Sequence, residues 1–276
     1  MKNLFYRLII FIDTANENDL NYKIALYMAN NFYRIASMRI SELAKACYVS
    51  AATISRFCRD LGYENFAHLK HECASFKSND RKFSNLINIE PELMQAMPQK
   101  ATTMYINQII HTLKQMPSYL NWNTIDRVLY MIHDAKDIAF FGTQFSNSIA
   151  VHFQTDLLML EKFSVAYMDS ERQMETAKTM NKESLAIIIS VNGNYIKSSG
   201  AKTLKYLKRS GCKVVLITGL PPEEIDFPVD EIITFGTAKD GKSGKHALLT
   251  TVELMSLRYY TLFYPSSMQE LKDYIL

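Results

Sequence analysis

The chain of 276 residues exceeds one ordinary domain of ~100–200 residues, so two domains are expected. Its 48% apolar and 21% charged residues exclude a disordered chain, and four cysteines exclude a disulfide scaffold and fit a reducing cytoplasm. The formal charge of +3 lies wholly in the first quarter, where residues 1–77 hold 10 Lys+Arg against 7 Asp+Glu while residues 78–276 hold 21 of each; that excess points to an anionic partner for the N-terminal part.

In the opening stretch, residues 1–12, Arg7 splits the apolar run, and acidic, Asn-rich sequence follows where a cleavage site would have small residues. No signal peptide is expected; Leu4, Leu8 and Ile12 share a helical face with Phe5, which predicts a short packed helix. No stretch reaches ~18 uninterrupted apolar residues, so no membrane partner is expected.

Residues 40–61 predict two short helices with a tight join. Ile40, Leu43 and Ala44 line one face of the first, and Ser41 can cap it. Ser50 is a good N-cap for the second, where Ile54, Phe57, Cys58 and Leu61 recur at helical spacing and face inward. Ala51, Ala52, Thr53, Ser55, Arg56 and Arg59 are left facing out. A face that is small at its start and cationic further along suits a helix entering a DNA major groove: small residues allow close approach, hydroxyls bond base edges or phosphates, and arginines grip guanine or backbone oxygens. A plain helical hairpin with a solvated polar face would show the same spacing. Cys58, His68, His71 and Cys73 match no common zinc spacing, so no metal site is expected.

The dense run Val49–Gly62, preceded by Ile40-Ser41-Glu42-Leu43-Ala44 and followed by Tyr63-Glu64-Asn65-Phe66-Ala67-His68-Leu69-Lys70, closely resembles the N-terminal domain of RpiR-type bacterial transcriptional regulators. The resemblance implies that Ser50, Ala51, Thr53, Ser55, Arg56 and Arg59 face double-stranded operator DNA, with Lys70 as a phosphate contact.

Residues 76–82 are polar, and Pro91 and Pro98 are expected to restrict helix over the following twenty residues, so residues 78–119 are assigned as linker and connecting helix. Helices are expected at about 101–115 and from Thr124. Only Gly62 precedes residue 140, and the other eight glycines fall between Gly142 and Gly244. In that glycine-bearing half, β-rich runs at 137–141, 165–168, 185–191, 213–218 and 231–235 leave room for a helix in each gap, the pattern of βαβ units on a parallel sheet.

Two loops follow strand ends there: Gly142-Thr143-Gln144-Phe145-Ser146-Asn147-Ser148 before a helix marked by Ile149, Phe153, Leu157 and Leu160, and Ser190-Val191-Asn192-Gly193-Asn194-Tyr195 before a helix at 197–210. Loops between a strand end and a helix start concentrate free N–H groups, and neighbouring parallel strands open a ligand crevice at their carboxyl ends. From about residue 120 onward the chain is similar to the sugar isomerase (SIS) domain that follows the helix-turn-helix in RpiR-type regulators. The resemblance implies effector contacts at Gly142, Ser146, Ser190, Asn192 and Gly193, a phosphorylated sugar as effector, and a homodimer or homotetramer. Gln144 replaces the family's second loop glycine, and Asn192 and Tyr195 stand where hydroxyl-bearing phosphate ligands are usual. Another polar ligand, or a domain that only dimerises, stays open beside the sugar phosphate.

The expected fold is therefore α/β: an all-α helix-turn-helix domain at 1–77, then a doubly wound parallel-sheet SIS-type domain at 120–276. Gly236–Ser243 spells a Walker A pattern, but no later strand ends in an Asp for Mg²⁺, so it is read as a basic loop and no cofactor is expected. A phosphosugar isomerase on the same fold is the alternative; it would need a positioned base, and Glu171, Glu175, Glu253, His152 and His246 supply the type without a motif. The helix-turn-helix decides for a regulator rather than an enzyme.

Overall fold

A computed structural model describes residues 4–77, 89–236 and 244–264. The chain divides into two compact units, residues 1–83 and 84–276, each described by itself. Among the described residues no helix is long and apolar enough to cross a membrane.

The first unit is helical: α1 (Leu4–Thr14), α2 (Leu20–Asn30), α3 (Phe32–Ile35), α4 (Ile40–Ala46), α5 (Ala51–Asp60) and α6 (Phe66–Lys77). Its core joins Leu4 and Leu8 of α1, Ile24 and Met28 of α2, Leu43 of α4 and Ile54, Phe57 and Cys58 of α5 to Leu69 and Cys73 of α6. The expected α1 forms, although its Ile12 is only half-buried and Phe5 is exposed. Glu72 ties the ends of the unit together: one carboxylate oxygen accepts from the Leu4 N–H at 2.8 Å and the other from the Tyr63 hydroxyl at 2.7 Å. Arg7 donates to the Leu61 carbonyl.

Ser41 does not cap α4. The cap position is Arg39, whose N–H donates to Glu42 Oε2 at 2.6 Å, because that carboxylate three residues on can reach back to an otherwise free donor. In the turn to α5, Tyr48 takes a left-handed conformation with φ 57° and is 96% exposed, a conformation that costs a non-glycine residue ~1–2 kcal/mol. Ser50 caps α5 as expected, accepting from the Thr53 N–H at 3.1 Å.

The second unit opens with α7 (Pro91–Ala96) and α8 (Pro98–Tyr119). Pro91 and Pro98 thus start helices instead of restricting them: each sits in the first turn, where its missing N–H would be unpaired anyway and its fixed φ is already helical. α9 (Trp122–Asp134) begins two residues before the expected Thr124, because Asn121 accepts from the Thr124 N–H at 3.2 Å and so becomes the cap.

Strands β1 (Asp137–Phe141), β2 (Val165–Ala166), β3 (Ser184–Ser190), β4 (Lys213–Thr218) and β5 (Glu231–Thr234) alternate with α10 (Phe145–Met159), α11 (Ser170–Thr179), α12 (Ala201–Ser210) and, at the end, α13 (Gly244–Phe263). They form one parallel sheet in the order β2-β1-β3-β4-β5, with Phe141 opposite Ile188 and Thr218 opposite Ser190. Ile138, Phe140, Ile187 and Ile217 pack on one face with residues of α9, α10 and α13. Their neighbours Ala139, Phe141, Ile188 and Leu216 pack on the other with Ala177 of α11 and Leu204 and Leu207 of α12. The period-2 alternation of the strands therefore fills two layers, and all seven residues of β3 are buried, as a central parallel strand requires. The helix expected at 197–210 is split into a π-type turn, Tyr195–Ser199, and α12. Thr237–Ser243 of the Walker-like segment lie outside the described residues; a strand precedes it and α13 follows.

Candidate functional site

The recognition-helix candidate is α5. Its buried side holds Ile54, Phe57 and Cys58, with Leu61 just beyond. Ala51, Ala52, Arg56 and Arg59 are exposed, and Thr53 and Ser55 are half-buried. Ser50 Oγ lies 2.9 Å from Thr53 Oγ1 as well as accepting the Thr53 N–H, so these two hydroxyls are partly engaged in the cap. Arg56 and Arg59 have no ion-pair partner among the described residues. Two guanidinium groups one helical turn apart are thus presented without a carboxylate to satisfy them, the arrangement that bidentate readout of bases or phosphates needs. Lys70 stands on α6, its Nζ 5.8 Å from the Phe66 ring centroid.

At the carboxyl ends of β1 and β3 the geometry differs. Gly142 packs so closely that a Cβ there would lie 3.0 Å from the Ile189 carbonyl oxygen. Gln144 then adopts φ 52°, ψ −126°, a conformation that glycine favours, and its exposed side chain stands at the cap of α10. Gly193, at φ 70°, fits because an added Cβ would sit 2.1 Å from Leu220 Cδ1. Asn192 is exposed, whereas Ser146 and Ser190 are buried.

Tyr195 fills the space between these loops. It is 3% exposed; its N–H donates to Ser190 Oγ at 3.1 Å and its hydroxyl donates to Gln173 Oε1 at 2.7 Å. The Gln173 amide in turn donates to the Gly142 carbonyl at 2.8 Å and the Tyr167 carbonyl at 2.7 Å, and stands 3.4 Å from Asn147 Oδ1. Burial pushes the Tyr195 hydroxyl well above the ordinary phenol range, so it stays protonated as a donor. The Ser190 carbonyl accepts from Thr218 Oγ1 at 2.7 Å. One phenol and one amide thereby join the two loops, and Asn147 Nδ2 is buried without a hydrogen-bond partner among the described residues. Gln173 and Asn147 carry no signal in the sequence that would single them out. At the start of α13, Lys245 Nζ lies 5.6 Å from the Phe145 ring centroid, which places a cation beside the first loop.

The residues named for an isomerase each have another neighbour or stand exposed. Glu175 pairs with Lys178 at 2.6 Å, His152 lies 3.8 Å from Asp156, and His246 Nε2 lies 3.2 Å from the Tyr105 hydroxyl, while Glu171 and Glu253 are exposed. Among the described residues no group of three His, Cys, Asp or Glu could hold a metal ion. Burial pushes the Cys58 thiol up to about 11 and the Cys73 thiol up to about 12, the behaviour of core thiols.

Residues 12–80 match the model of the helix-turn-helix domain, rpiR family, and residues 131–264 match the SIS domain. An HTH-type transcriptional regulator of Providencia stuartii, from the aarA 3′ region, is 24% identical over 243 residues, which cover 88% of this chain and 83% of that protein. HexR of Pseudomonas aeruginosa is 26% identical over 193 residues (70% and 66% covered), and RpiR of Escherichia coli K12 is 23% identical over 220 (79% and 72%). Among solved structures, NanR of Vibrio vulnificus, complexed with ManNAc-6P, shares the fold with a TM-score of 0.51 at 16% identity, over 99% of this chain and 98% of that one. With an rpiR-type helix-turn-helix followed by a SIS domain, and with regulators of that build as its relatives, the chain belongs to the RpiR-type transcriptional regulators.

Proposed function

We propose that the chain is a cytoplasmic DNA-binding regulator, with residues 1–77 reading an operator, residues 78–119 connecting, and residues 120–276 binding a small effector and a second copy of the chain. The observation that carries this reading is the outward face of α5, where Arg56 and Arg59 project without ionic partners among the described residues beside the small residues Ala51 and Ala52. A homodimer, or a tetramer of two such dimers, would present paired α5 helices to half-sites spaced by ~34 Å or a multiple of it. The effector acts only insofar as it binds two arrangements of the dimer with different affinity.

A sugar phosphate is the effector class favoured here. Two observations support it: NanR of Vibrio vulnificus is complexed with ManNAc-6P on the same fold, and in this chain Gly142 and Ser146 follow β1, Ser190, Asn192 and Gly193 end or follow β3, and Lys245 Nζ stands near the first loop. The rpiR-type helix-turn-helix favours regulation over isomerisation.

The test is selection of a binding duplex from a random pool, followed by titration of wild type and Arg56→Ala. Arg56→Ala weakens binding of the selected duplex by ~1–3 kcal/mol and relaxes its sequence preference. Unchanged affinity and preference would remove Arg56 from the reading face. Effector binding is read separately, as a ManNAc-6P-dependent rise in melting temperature together with a change in operator affinity.

A further inference from the structure

Beside α5 lies an open groove of about 350 Å³. Its walls come from three places in the first unit: Arg39 and Ile40 at the start of α4, Ser55 in the middle of α5, and Phe66, Ala67 and Lys70 at the start of α6. The floor is apolar, with Phe66 only 7% exposed and Ile40 half-buried. Among the described residues the two charged ones in the lining are both cations, and no carboxylate lines the groove. Neither Arg39 nor Lys70 has an ion-pair partner among the described residues. Glu42, which receives the Arg39 backbone N–H, is spent on capping α4 and lies outside the lining.

Ser55 makes this groove continuous with the outward face of α5, so whatever α5 docks against also runs past Arg39 and Lys70. A duplex has one structure with matching chemistry at that border: a strand of alternating phosphate and deoxyribose, anionic at each repeat and less polar between. An apolar floor between two unpaired cations complements that alternation. We propose that the groove seats one sugar–phosphate strand of the duplex that α5 reads, with Arg39 and Lys70 each neutralising a phosphate and the Ile40–Phe66 floor lying against deoxyribose. The proposal rests on the DNA-binding reading above and adds Arg39 and the groove itself to it. Such contacts fix the register of α5 on the duplex without reading its sequence.

The consequence is separable from base reading by salt. Each neutralised phosphate contributes about −0.9 to the slope of log K against log salt. Wild type, Arg39→Ala, Lys70→Ala, the double variant and Arg39→Lys are titrated against two 30-base-pair duplexes, one selected from the random pool and one scrambled, across 50–200 mM salt. Each alanine variant is expected to flatten the slope by ~0.9 and the double by ~1.8. The loss of affinity is the same factor on both duplexes, and Arg39→Lys keeps the slope. Circular-dichroism melting confirms that the variants are folded. Slopes unchanged in folded variants would overturn the proposal. So would a loss confined to the selected duplex, which would make these residues base readers. If wild type binds neither duplex, the DNA-binding reading itself fails; if wild type binds and Arg56→Ala loses selectivity while the slopes stay put, only the groove proposal fails.

Discussion

The outward face of α5 and the crevice between β1 and β3 are built from similar polar residue types but treat them in opposite ways. On α5 the guanidinium groups of Arg56 and Arg59 are exposed and have no ion-pair partner among the described residues. In the crevice the Ser190 hydroxyl already accepts from the Tyr195 N–H, and the Gly142 carbonyl and the Tyr195 phenol are both bonded to Gln173. A surface that meets a large polyanion gains by leaving its donors unspent, since each is repaid on contact. A small-molecule site closed by its own side chains must first break internal bonds, so its apparent affinity falls by the fraction of molecules that are open.

That contrast can be broken most forcefully at Tyr195. Replacing it with Thr, the residue usual at that place in the family's loop, removes a buried ring and the phenol–amide bond. The second unit is expected to lose ~3 kcal/mol in urea unfolding, while ManNAc-6P binding, read by calorimetry, becomes tighter. If wild type binds ManNAc-6P as tightly as Tyr195→Thr does, the crevice is not closed and the contrast collapses. Gln173→Leu leaves the Gly142 and Tyr167 carbonyls and the Tyr195 hydroxyl without this partner in a buried setting and should cost ~2–3 kcal/mol by the same measurement. Ser50→Ala sharpens the other side of the comparison. It removes the acceptor of the Thr53 N–H and lowers the stability of the first unit by ~1 kcal/mol, with a parallel loss of operator affinity as the first turn of α5 frays. The smallest effect is a gain: Gln144→Gly relieves a glycine-type backbone conformation, and relief at the lower end of such strain, ~1 kcal/mol, less the ~0.4–1 kcal/mol chain entropy of glycine leaves a rise of under ~1 kcal/mol. A fall in stability there would mean that the Gln144 side chain holds the loop.

The readable parts of the sequence were those whose causes are local. Ser50 followed by Ile54, Phe57 and Cys58 fixes both the start and the buried side of α5, and the runs that became β1 and β4 matched residue for residue because their β-branched and aromatic stretches end at Gly or turn residues. Pro91 and Pro98 were misread because proline both breaks helices and begins them, and the choice depends on what lies upstream. The cap of α4 moved for a similar reason: Glu42 competes with Ser41 for the free amides, and only the built turn decides. The crevice was legible as two loops at strand ends, but its closure was not. The Tyr195–Gln173 bond joins residues 22 positions apart, and no short-range pattern links a loop tyrosine to a glutamine in the middle of α11. Likewise the groove beside α5 gathers Arg39, Ser55 and Lys70 from three places in the chain, so Ser55 and Lys70 are legible one by one, while Arg39 and the groove itself are not.

The central strand has a consequence for how the protein fails. Ser184–Ser190 reads Ser-Leu-Ala-Ile-Ile-Ile-Ser, uncharged, without Pro or Gly, and wholly buried with a parallel neighbour on each side. Parallel pairing of β3 needs chain segments far apart in sequence, so on heating it is slow to re-form, and in the meantime it offers a segment of the composition that self-associates between molecules. Thermal unfolding of the second unit should therefore be irreversible, with an apparent midpoint that rises with scan rate, and a crevice loosened at Tyr195 would shorten the working lifetime of the regulator.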